Sequence, residues 1–434
     1  MTHRLCRLWR ICFFLLTLGS PPSWQVRDAQ GVQHWRRVKV NLEEHVHVPT
    51  FPSGLDTYDE YVQDYISKIA TNQMPQSRPL WDLHLIKFPT SKAEGTLVFR
   101  IHHSLGDGYS LMSALFNCLQ RADDPSLPLT FPSGSKPKTK PTKNGMVRMI
   151  SKVSSSLSMC VNTVRDFGWS VLKSNLLEDD KSPVRSGTPG VEFLPITLSS
   201  IEFSLDDIHK IKTKIRGTIN DVICGIVFLG IRLYNEAASE EARAKAANVT
   251  ALVLLNTRDI GSYSYQPLSE MTKPDTKSPW GNHFAFIHVG IPSCKDPMNA
   301  DPLQFLQTTK KIIQERKNSL AVVLTGKFLE IIRRLKGPEA VAKYVHATLR
   351  NTSTAVTNVV GPIEQMIIAG HPVRSFHFTM VGGPQSLTLG VVSYMGKLKL
   401  AMGVEKGFID PKLLTSCMEK SFERTSQAAI GVKP

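Results

Sequence analysis

The stretch TLVFRIHHSLGDGYSLMSALFNCL, residues 96–119, predicts a strand, a tight turn and a helix in direct succession. β-Branched and aromatic residues dominate 96–101, which is typical of a strand. Apolar residues three and four positions apart predict that 109–122 is a helix with one buried face. A strand that leads into a helix through a glycine-containing turn is an α/β arrangement, and such turns often carry reacting groups.

The same two periodicities continue on both sides of this stretch. Helical spacing marks 56–70 and 304–320, while 79–88 is a strand that begins at a proline. The apolar run 222–234 is interrupted by Arg232, and its length favours a buried core helix over a membrane span. Further strands are predicted at 196–205, 249–258 and 283–291, and a hairpin over 387–405 that turns at Gly396. Strands mixed with helices in both halves predict a two-domain α/β protein.

Composition divides the chain into segments. A leader, 1–23, combines arginines with a short apolar run, which is the layout of a signal or anchor, the alternative being an altered start. An N-terminal domain, 24–177, contains a basic linker, 133–152, that is either a lipid-binding segment or a solvated loop. The polar, Pro- and Gly-containing segment 178–192 is predicted to link this domain to a C-terminal domain, 193–434.

Charge and cysteine content narrow the function classes. Lys and Arg number 52 against 37 Asp and Glu, a net charge of +15 that suits an anionic partner such as nucleic acid, a membrane surface or a phosphorylated ligand. The 7 cysteines are scattered without zinc spacing, which argues against a disulfide scaffold or a zinc module. A hydrophobic content of 41% argues against global disorder.

The turn itself, His102-His103-Ser104-Leu105-Gly106-Asp107-Gly108, carries the strongest chemical signal. An imidazole can accept a proton from a hydroxyl near neutral pH, and adjacent side chains at a strand end point in opposite directions, so one histidine faces a given cleft. Gly106 and Gly108 allow a sharp turn and a close approach of substrate. Asp107 is predicted to cap the helix or to pair with a buried arginine. A metal set of His102, His103 and Asp107 is the weaker alternative, because no further ligands accompany it.

HHSLGDG resembles the HHxxxDG motif of the plant-type wax ester synthase/diacylglycerol acyltransferases. Further family motifs follow in the same order along the chain, from about Trp24 to the end. They are Pro79-Leu80-Trp81, Asn220-Asp221, Asn256-Thr257-Arg258, Gly281-Asn282, Thr357-Asn358-Val359-Val360-Gly361-Pro362 and the stretch 387–411.

This resemblance implies an α/β fold of two similar mixed-sheet domains, of the CoA-dependent acyltransferase type, with a channel between them. It implies that His103 is the general base, supported by His102 and by Asp107, and that the hydroxyl of a fatty alcohol or diacylglycerol attacks an acyl-CoA thioester. Asn220 donates a hydrogen bond to the oxyanion or orients the site, the alternative being that it caps the following helix.

The remaining motif residues are expected at the substrate site. Trp81, Gly106, Gly108, Asp221 and Arg258 are the predicted substrate-binding residues. Trp81 either lines an acyl tunnel or fills the core, and Arg258 either pairs with Asp107 or is solvated.

The expected activity is an O-acyltransferase that makes wax esters and triacylglycerol. Acyl-CoA is its co-substrate, no cofactor or metal is expected, and the expected partners are a fatty alcohol or diacylglycerol and a membrane surface, with no nucleic acid. The expected location is the endoplasmic reticulum membrane or the cell membrane. The alternatives are a soluble acyltransferase of the same superfamily that acts on secondary metabolites, and a catalytically inactive lipid-binding relative, because 1–23 replaces an N-terminal region that family members carry.

Overall fold

The structure is a computed structural model, and it describes residues 23–27, 33–37, 40–75, 77–132, 163–238, 248–258, 265–273, 275–317 and 319–431. Almost all of the predicted leader and the whole basic linker 133–152 lie outside the described residues.

Strands and helices are interspersed along the chain. The strands are β1 (Ser23–Arg27), β2 (Gln33–Arg37), β3 (Val46–His47), β4 (Trp81–Ile86), β5 (Thr96–Ile101), β6 (Gln120–Arg121), β7 (Ile196–Ser204), β8 (Thr250–Asn256), β9 (Phe284–Gly290), β10 (Thr354–Val359), β11 (Met366–Ile368), β12 (His371–Pro372), β13 (Leu387–Tyr394) and β14 (Lys397–Glu405). The helices are α1 (Asp59–Thr71), α2 (Gly108–Cys118), α3 (163–175), α4 (Leu205–Ile215), α5 (Ile219–Ala238), α6 (Leu268–Met271), α7 (Pro302–Lys317), α8 (Ala321–Arg350) and α9 (Pro411–Ile430). The strand predicted over 96–101 is confirmed with the same bounds, and the helix predicted over 56–70 is displaced by only a few residues.

The chain folds into two compact units that are discontinuous in sequence. Unit 1 comprises Met1–Gly134, Asn256–Phe284 and Val359–Phe376, and unit 2 comprises Ser135–Leu255, Ala285–Asn358 and His377–Pro434. Two segments of the predicted C-terminal domain therefore pack with the N-terminal residues. The predicted domain boundaries, and the predicted channel between the domains, stay predictions.

Unit 1 is built on small sheets. β3 pairs in parallel with β4, and β4 pairs antiparallel with β5, so that β4 is the central strand. In a second sheet β11 lies between β6 and β12. Buried Trp81 and Leu83 alternate along β4 with Asp82 and His84, so that the two pairs face opposite sides of the sheet. Tyr58, which directly precedes helix α1, and Val62 within the helix pack against Ile86 on one of these sides.

Unit 2 is built on a six-stranded mixed sheet in the order β7-β14-β13-β10-β8-β9. β8 and β10 are parallel, and β13 and β14 form the predicted hairpin, which turns at Met395 and Gly396. Both turn residues have positive φ, 49° and 71°, as a right-twisted two-residue hairpin requires.

Helix α5 is the core helix of unit 2, as its apolar run predicts. Every residue from Asp221 to Asn235 is buried. Gly225 and Gly230 let α7 and α9 approach closely, because a Cβ at these positions would overlap Leu306 and Met418, respectively. Among the described residues, no single helix has the length and apolar character needed to cross a bilayer; α4 and α5 meet that requirement only as a pair, which is bent by 98°.

The long helix α8 is not among the predicted elements. Its backbone breaks at Gly337, where φ is 81° and ψ is 174°, and Pro338 follows directly. The Gly-Pro pair interrupts the helical pattern in the sequence, because glycine tolerates the left-handed φ and proline cannot donate the hydrogen bond that would continue the first half.

Candidate active site

The HHSLGDG segment is a strand-to-helix turn in unit 1, as the sequence predicts. His102 follows β5, and residues His103–Leu105 form a single 3₁₀ turn. Gly106 continues in extended backbone, and Asp107 caps helix α2. The turn therefore presents two exposed histidines at one end and buries the aspartate at the other.

Asp107 accepts three hydrogen bonds, which together explain its burial. Its Oδ1 atom accepts from the Ser110 backbone N–H at 3.0 Å, as the helix cap predicted from the sequence. Its Oδ2 atom accepts from Arg258 Nη1 and from the His283 backbone N–H, both at 2.8 Å. The carboxylate thus fixes the start of α2 to two residues that lie more than a hundred positions later in the chain.

Arg258 pairs with Asp107, which is one of the two outcomes expected from the sequence. The side chain of Arg258 is only 1% exposed. Besides Asp107, its guanidinium donates to Pro279 O, Asn256 Oδ1, Ser110 Oγ and Gly281 O, at 2.7–3.3 Å. The Tyr109 ring lies 5.0 Å from its Cζ atom and adds a cation–π contact. Arg258 is therefore a buried positioning group of the turn, and its predicted substrate contact stays a prediction.

Residues 280–283 run alongside the turn and hold its backbone. Trp280 Nε1 donates to the carbonyl of Leu105 at 2.8 Å. Asn282 Nδ2 donates to the carbonyl of His103 at 2.9 Å, so a side-chain amide fixes the backbone of this histidine. The Asp107 N–H donates to the Gly281 carbonyl at 3.3 Å. The position of the turn is thus set by side chains and backbone of a second segment, and not by the strand alone.

His102 is held by the turn itself. Its Nδ1 atom accepts from the backbone N–H of Ser104 at 3.2 Å and lies 2.8 Å from Ser104 Oγ. Because Nδ1 accepts, the neutral ring carries its proton on Nε2. Loss of water around the ring lowers the pKa of His102, and the charges of His103 and Arg100 lower it further. His102 is therefore suited to support the turn, and less suited to accept a proton from a substrate through Nδ1.

The imidazole of His103 is exposed, in contrast to the buried aspartate of the same motif. It meets the ring of Phe284 edge to face, with centroids 5.8 Å apart. Within the part of the chain that the structure describes, no group forms a hydrogen bond with its ring nitrogens. The ring is thus fixed through its backbone carbonyl and an aromatic contact, and both nitrogens are available to a ligand.

The glycines and the tryptophan of the motifs have structural roles in unit 1. A Cβ on Gly106 would lie 3.1 Å from Ser110 Cβ and 3.4 Å from the Trp280 ring, so a larger residue would displace the turn. A Cβ on Gly108 would make only an ordinary 3.5 Å contact with Val359. Trp81 is 2% exposed and stacks on His45 with centroids 4.1 Å apart, as a core residue does. Their predicted contacts with substrate stay predictions.

Asn220 and Asp221 lie in unit 2, in the first turn of α5. Asp221 accepts from the Thr218 N–H at 2.8 Å, while its own N–H donates to Thr218 Oγ1 at 3.2 Å, which is a reciprocal capping box. Asn220 accepts from Asn358 Nδ2 at 2.6 Å, so two predicted family motifs meet at this helix start. Asp221 therefore caps the helix, while Asn220 uses its amide oxygen to contact a neighbouring segment of unit 2.

The alternative metal set of His102, His103 and Asp107 is not formed. Both oxygens of Asp107 already accept hydrogen bonds, and Arg258 places a positive charge against the carboxylate. The motif thus combines exposed imidazoles with an internal ion pair.

Three residues of the site were not predicted from the sequence: Ser110, Trp280 and His283. Ser110 Oγ accepts from Arg258 and donates to the Gly281 carbonyl at 3.0 Å, which links both segments. Loss of water and the neighbouring Arg258 charge lower the pKa of His283. The last two of these residues could have been found from the stretch SPWGNHF, residues 278–284, in which aromatic and polar residues surround a glycine directly before a strand.

Comparison with known proteins identifies the group to which this chain is similar. The model of the wax ester synthase/diacylglycerol acyltransferase catalytic domain matches residues 25–223, and the model of the WS/DGAT C-terminal domain matches residues 280–425. Wax ester synthase/diacylglycerol acyltransferase 4 of Arabidopsis thaliana is 30% identical over 93% of this chain and 80% of its own length. The chain belongs to the wax ester synthase/diacylglycerol acyltransferase family. The family resemblance and the acyltransferase class predicted from the sequence are thereby confirmed.

Solved structures confirm the fold class of this family member. The wax ester synthase/diacylglycerol acyltransferase from Marinobacter aquaeolei VT8 superposes with a TM-score of 0.56 at 14% identity, over 95% of this chain and 86% of that one. The starter condensation domain of rhizomide synthetase RzmA gives a TM-score of 0.52 at 11% identity, over 99% and 86%. Arg258 lies between the two matched regions of this chain, yet it is the ion-pair partner of the motif aspartate.

Proposed function

We propose that this chain transfers a fatty acyl group from acyl-CoA to the hydroxyl of a long-chain alcohol or a diacylglycerol, with His103 as the general base. The proposal is supported by the names of the relatives and by the described geometry of the HHSLGDG turn. The observation that carries it is the contrast within the motif: the His103 ring is exposed and makes no hydrogen bond to any described residue, whereas Asp107 is buried and both of its carboxylate oxygens accept hydrogen bonds.

The chemistry requires one proton acceptor and no redox partner. His103 takes the hydroxyl proton as the alcohol oxygen attacks the thioester carbonyl, and a C–O bond forms. The tetrahedral intermediate then expels the CoA sulfur, the C–S bond breaks, and the proton held by His103 passes to the leaving thiolate. An ester and a free CoA thiol result, so atoms and electrons balance.

The surrounding residues serve this step by position. Asp107 and Arg258 hold the turn, Asn282 fixes the backbone of His103, and His102 stabilises the 3₁₀ turn. For Asn220, donation to the oxyanion stays a prediction from the family resemblance; within unit 2 its amide oxygen accepts from Asn358 Nδ2. Trp81 is proposed to limit the acyl site from within the core.

The endoplasmic reticulum membrane or the cell membrane is the proposed location. The net charge of +15 supports attraction to anionic lipid and to the phosphates of CoA, and both acceptor classes are lipids that partition into membranes. Co-sedimentation of the purified full chain with vesicles containing phosphatidylserine, compared with neutral vesicles at low and high salt, tests this part. Equal binding to both vesicle types would contradict it.

The acyl-transfer proposal is tested by His103→Ala, with release of CoA thiol from palmitoyl-CoA as the readout. Because a positioned general base typically contributes about 10²–10⁴-fold in rate, turnover should fall by that factor with both hexadecanol and diacylglycerol. The melting temperature should be unchanged, since the ring is exposed. His371→Phe, which changes an exposed histidine of unit 1, is the matched control. Near-normal turnover of well-folded His103→Ala would overturn the assignment, and absence of turnover in the unaltered chain would favour the inactive lipid-binding alternative.

A further inference from the structure

Helix α8 of unit 2 folds back on itself. Its backbone breaks at Gly337, which Pro338 follows. Phe328 and Tyr344, one on each side of the break, have ring centroids 5.6 Å apart. A straight α-helix spans about 24 Å between positions 328 and 344, so the two halves of α8 turn back towards each other. Residues 329–343 therefore form the bend of a helical hairpin, beyond the contact between its halves.

Helix α3 packs against both halves of this hairpin. The ring of Phe167 on α3 meets the ring of Phe328 edge to face, with centroids 6.1 Å apart. At the other end of α3, Thr348 Oγ1 of the second half donates to Ser174 Oγ at 2.8 Å. The two helices are thus neighbours within unit 2, and their outward sides belong to one surface.

The outward sides of α3 and of the first half of α8 are apolar. Of the 20 large apolar side chains that are exposed among the described residues, 10 lie in 163–177 and 320–335. Two stripes at helical spacing, here called the apolar face, contain six of them: Trp169, Leu172 and Leu176 along α3 and its end, and Leu324, Ile331 and Leu335 along α8. Single exposed apolar side chains are common on soluble proteins, but a concentration of them is typical of a binding surface.

The same helices carry an excess of exposed positive charge. Residues 327–343 contain five Lys or Arg and two Glu. The side chain of Arg334 is 74% exposed and that of Arg165 on α3 is 57% exposed. Lys327 and Lys336 are also exposed, and both lie on the half of α8 that carries the apolar face. The partner of this surface must therefore offer apolar groups together with negative charge.

An anionic lipid bilayer is the partner whose chemistry matches both properties. Helices that lie in a membrane interface combine an apolar face with Lys and Arg side chains, and Trp is enriched at the level of the headgroups. Acyl chains accept leucine side chains, while anionic headgroups attract the basic ones. A second copy of this chain fits less well, because the contact would bring two basic surfaces together.

We propose that the apolar face docks unit 2 onto an anionic membrane surface, with its leucines at the acyl-chain boundary and Lys327 and Lys336 at the headgroups. The inference rests on the proposed membrane location and adds the surface by which the chain binds there. Positive charge draws the chain to the membrane, and the apolar side chains hold it there when salt screens the charges. None of these residues belongs to the HHSLGDG turn, so docking and acyl transfer can fail independently.

Co-sedimentation of the purified full chain with vesicles of phosphatidylcholine and phosphatidylserine, at low and high salt, tests the proposal. Leu176→Glu combined with Leu335→Glu places two carboxylates on the apolar face, and exposures of 76% and 79% predict that this variant folds. Its affinity should fall by at least about tenfold at both salt concentrations, because leucine burial is lost. Leu55→Glu combined with Leu127→Glu, two exposed positions of unit 1, adds the same charge elsewhere. This control should bind within about twofold of the unaltered chain at high salt, where net charge is screened.

The lysines and the tryptophan provide two further measurements. Lys327→Gln combined with Lys336→Gln should weaken binding about fivefold for each lysine at low salt, and little at high salt. Brominated phosphatidylcholine in the same vesicles should quench tryptophan fluorescence of the unaltered chain. The quenching should be smaller in Trp169→Phe, which keeps an aromatic ring and should still bind.

Several outcomes would overturn the docking surface. Equal affinity of Leu176→Glu/Leu335→Glu and its control would do so while leaving the membrane location standing. Loss of binding only when the lysines of 133–152 are changed to Gln would assign the contact to that segment. A dimer in solution that Leu176→Glu/Leu335→Glu dissociates, with vesicle binding unchanged, would assign the face to a second copy. Absence of binding by the unaltered chain would overturn both the docking surface and the location.

A separate measurement distinguishes docking from acyl transfer. CoA release from palmitoyl-CoA with a water-soluble alcohol, in the absence of vesicles, should be the same in the unaltered chain and in all of these variants. Normal docking without CoA release would contradict the proposed function alone, and CoA release with unchanged docking in Leu176→Glu/Leu335→Glu would contradict the docking surface alone.

Discussion

Among the described residues, two ion pairs have both side chains buried, one pair in each unit, and the two pairs have different roles. In unit 1, Arg258 and Asp107 have side-chain exposures of 1% and 7%. In unit 2, Lys173 and Asp179 have exposures of 5% and 0%, with Nζ and Oδ1 2.6 Å apart. The first pair lies beneath a turn with exposed imidazoles, whereas the second lies where a helix meets the sheet.

The two pairs differ in how the positive charge is shared. Arg258 donates to four uncharged acceptors besides Asp107. Lys173 has one acidic partner among the described residues, which is Asp179. A planar guanidinium distributes its charge over five donors. Loss of one acceptor of Arg258 should therefore lower the free energy of unfolding less than loss of the single counterion of Lys173.

The two carboxylates also hold different parts of the fold. Asp179 accepts from the N–H and hydroxyl of Thr250 at 2.7 and 2.8 Å, and from Ser353 Oγ at 2.6 Å. Thr250 begins β8 and Ser353 directly precedes β10, so this aspartate joins the starts of two parallel strands. Asp107, by contrast, fixes a turn to a loop. Breaking the unit 2 pair should therefore affect stability alone, while breaking the unit 1 pair should also affect turnover.

The largest expected effect is that of Asp179→Ala. It leaves the ammonium of Lys173 buried without a counterion, and removing one partner of a buried pair typically costs about 3–5 kcal/mol. Urea unfolding should show this loss, while CoA release per folded molecule stays within about twofold of the unaltered chain. Asp180→Ala, which changes the exposed neighbour, is the control and should cost far less. Equal losses in both variants would contradict the comparison.

A smaller loss of stability is expected when the pH is lowered. Each buried cation has a neighbouring histidine, and that histidine must stay neutral in the folded chain. Burial, together with the charges of Lys173 and Arg316, lowers the pKa of His288 to about 3. The unfolded chain binds a proton at this residue below about pH 6.5 and the folded chain does not, so the free energy of unfolding decreases as pH falls. The slope is about 1.4 kcal/mol per pH unit, or about 2 kcal/mol between pH 6.5 and 5.

His288→Phe checks this prediction. The Nε2 atom of His288 is buried without a partner, so an aromatic ring of similar shape removes both the titration and an unsatisfied nitrogen. Urea unfolding at pH 7 and pH 5 should show a smaller difference for the variant than for the unaltered chain. His209→Phe, an exposed position on α4, should keep the original difference. A pH dependence that His288→Phe leaves unchanged would assign the acid sensitivity to other groups.

The two ion pairs also show how far sequence reasoning reached. Asp107 was predicted as a helix cap and as an arginine partner because it stands between two glycines at a helix start, and both roles are observed. Asp179 lies in a run of acidic residues in 178–192, a pattern typical of a solvated linker. Its partners Thr250 and Ser353 lie 71 and 174 positions away, and no local pattern reports contacts at that separation.

The fold shows the same division between local and distant information. Strand β5 and the hairpin β13–β14 follow from periodicity and a glycine turn, which are local. The joining of Asn256–Phe284 to the N-terminal residues in unit 1 depends on long-range packing.

Asp107→Asn is expected to have the smallest effect on stability. It is also the substitution that distinguishes the two ion pairs most clearly. The asparagine keeps one oxygen of the same shape, so the cap to Ser110 or the contact to Arg258 survives, but the amide NH₂ then faces a donor on the other side. Arg258 keeps four acceptors, so we expect a loss of about 1.5–2 kcal/mol rather than the loss expected for Lys173. Turnover should fall by about tenfold, since roughly 1.4 kcal/mol of misplacement at the turn corresponds to that factor. Urea unfolding and CoA release measured on one preparation give both numbers. If the Asp107→Asn variant is destabilised but has normal turnover, the pair in unit 1 stabilises the fold without contributing to activity, as is expected for the pair in unit 2.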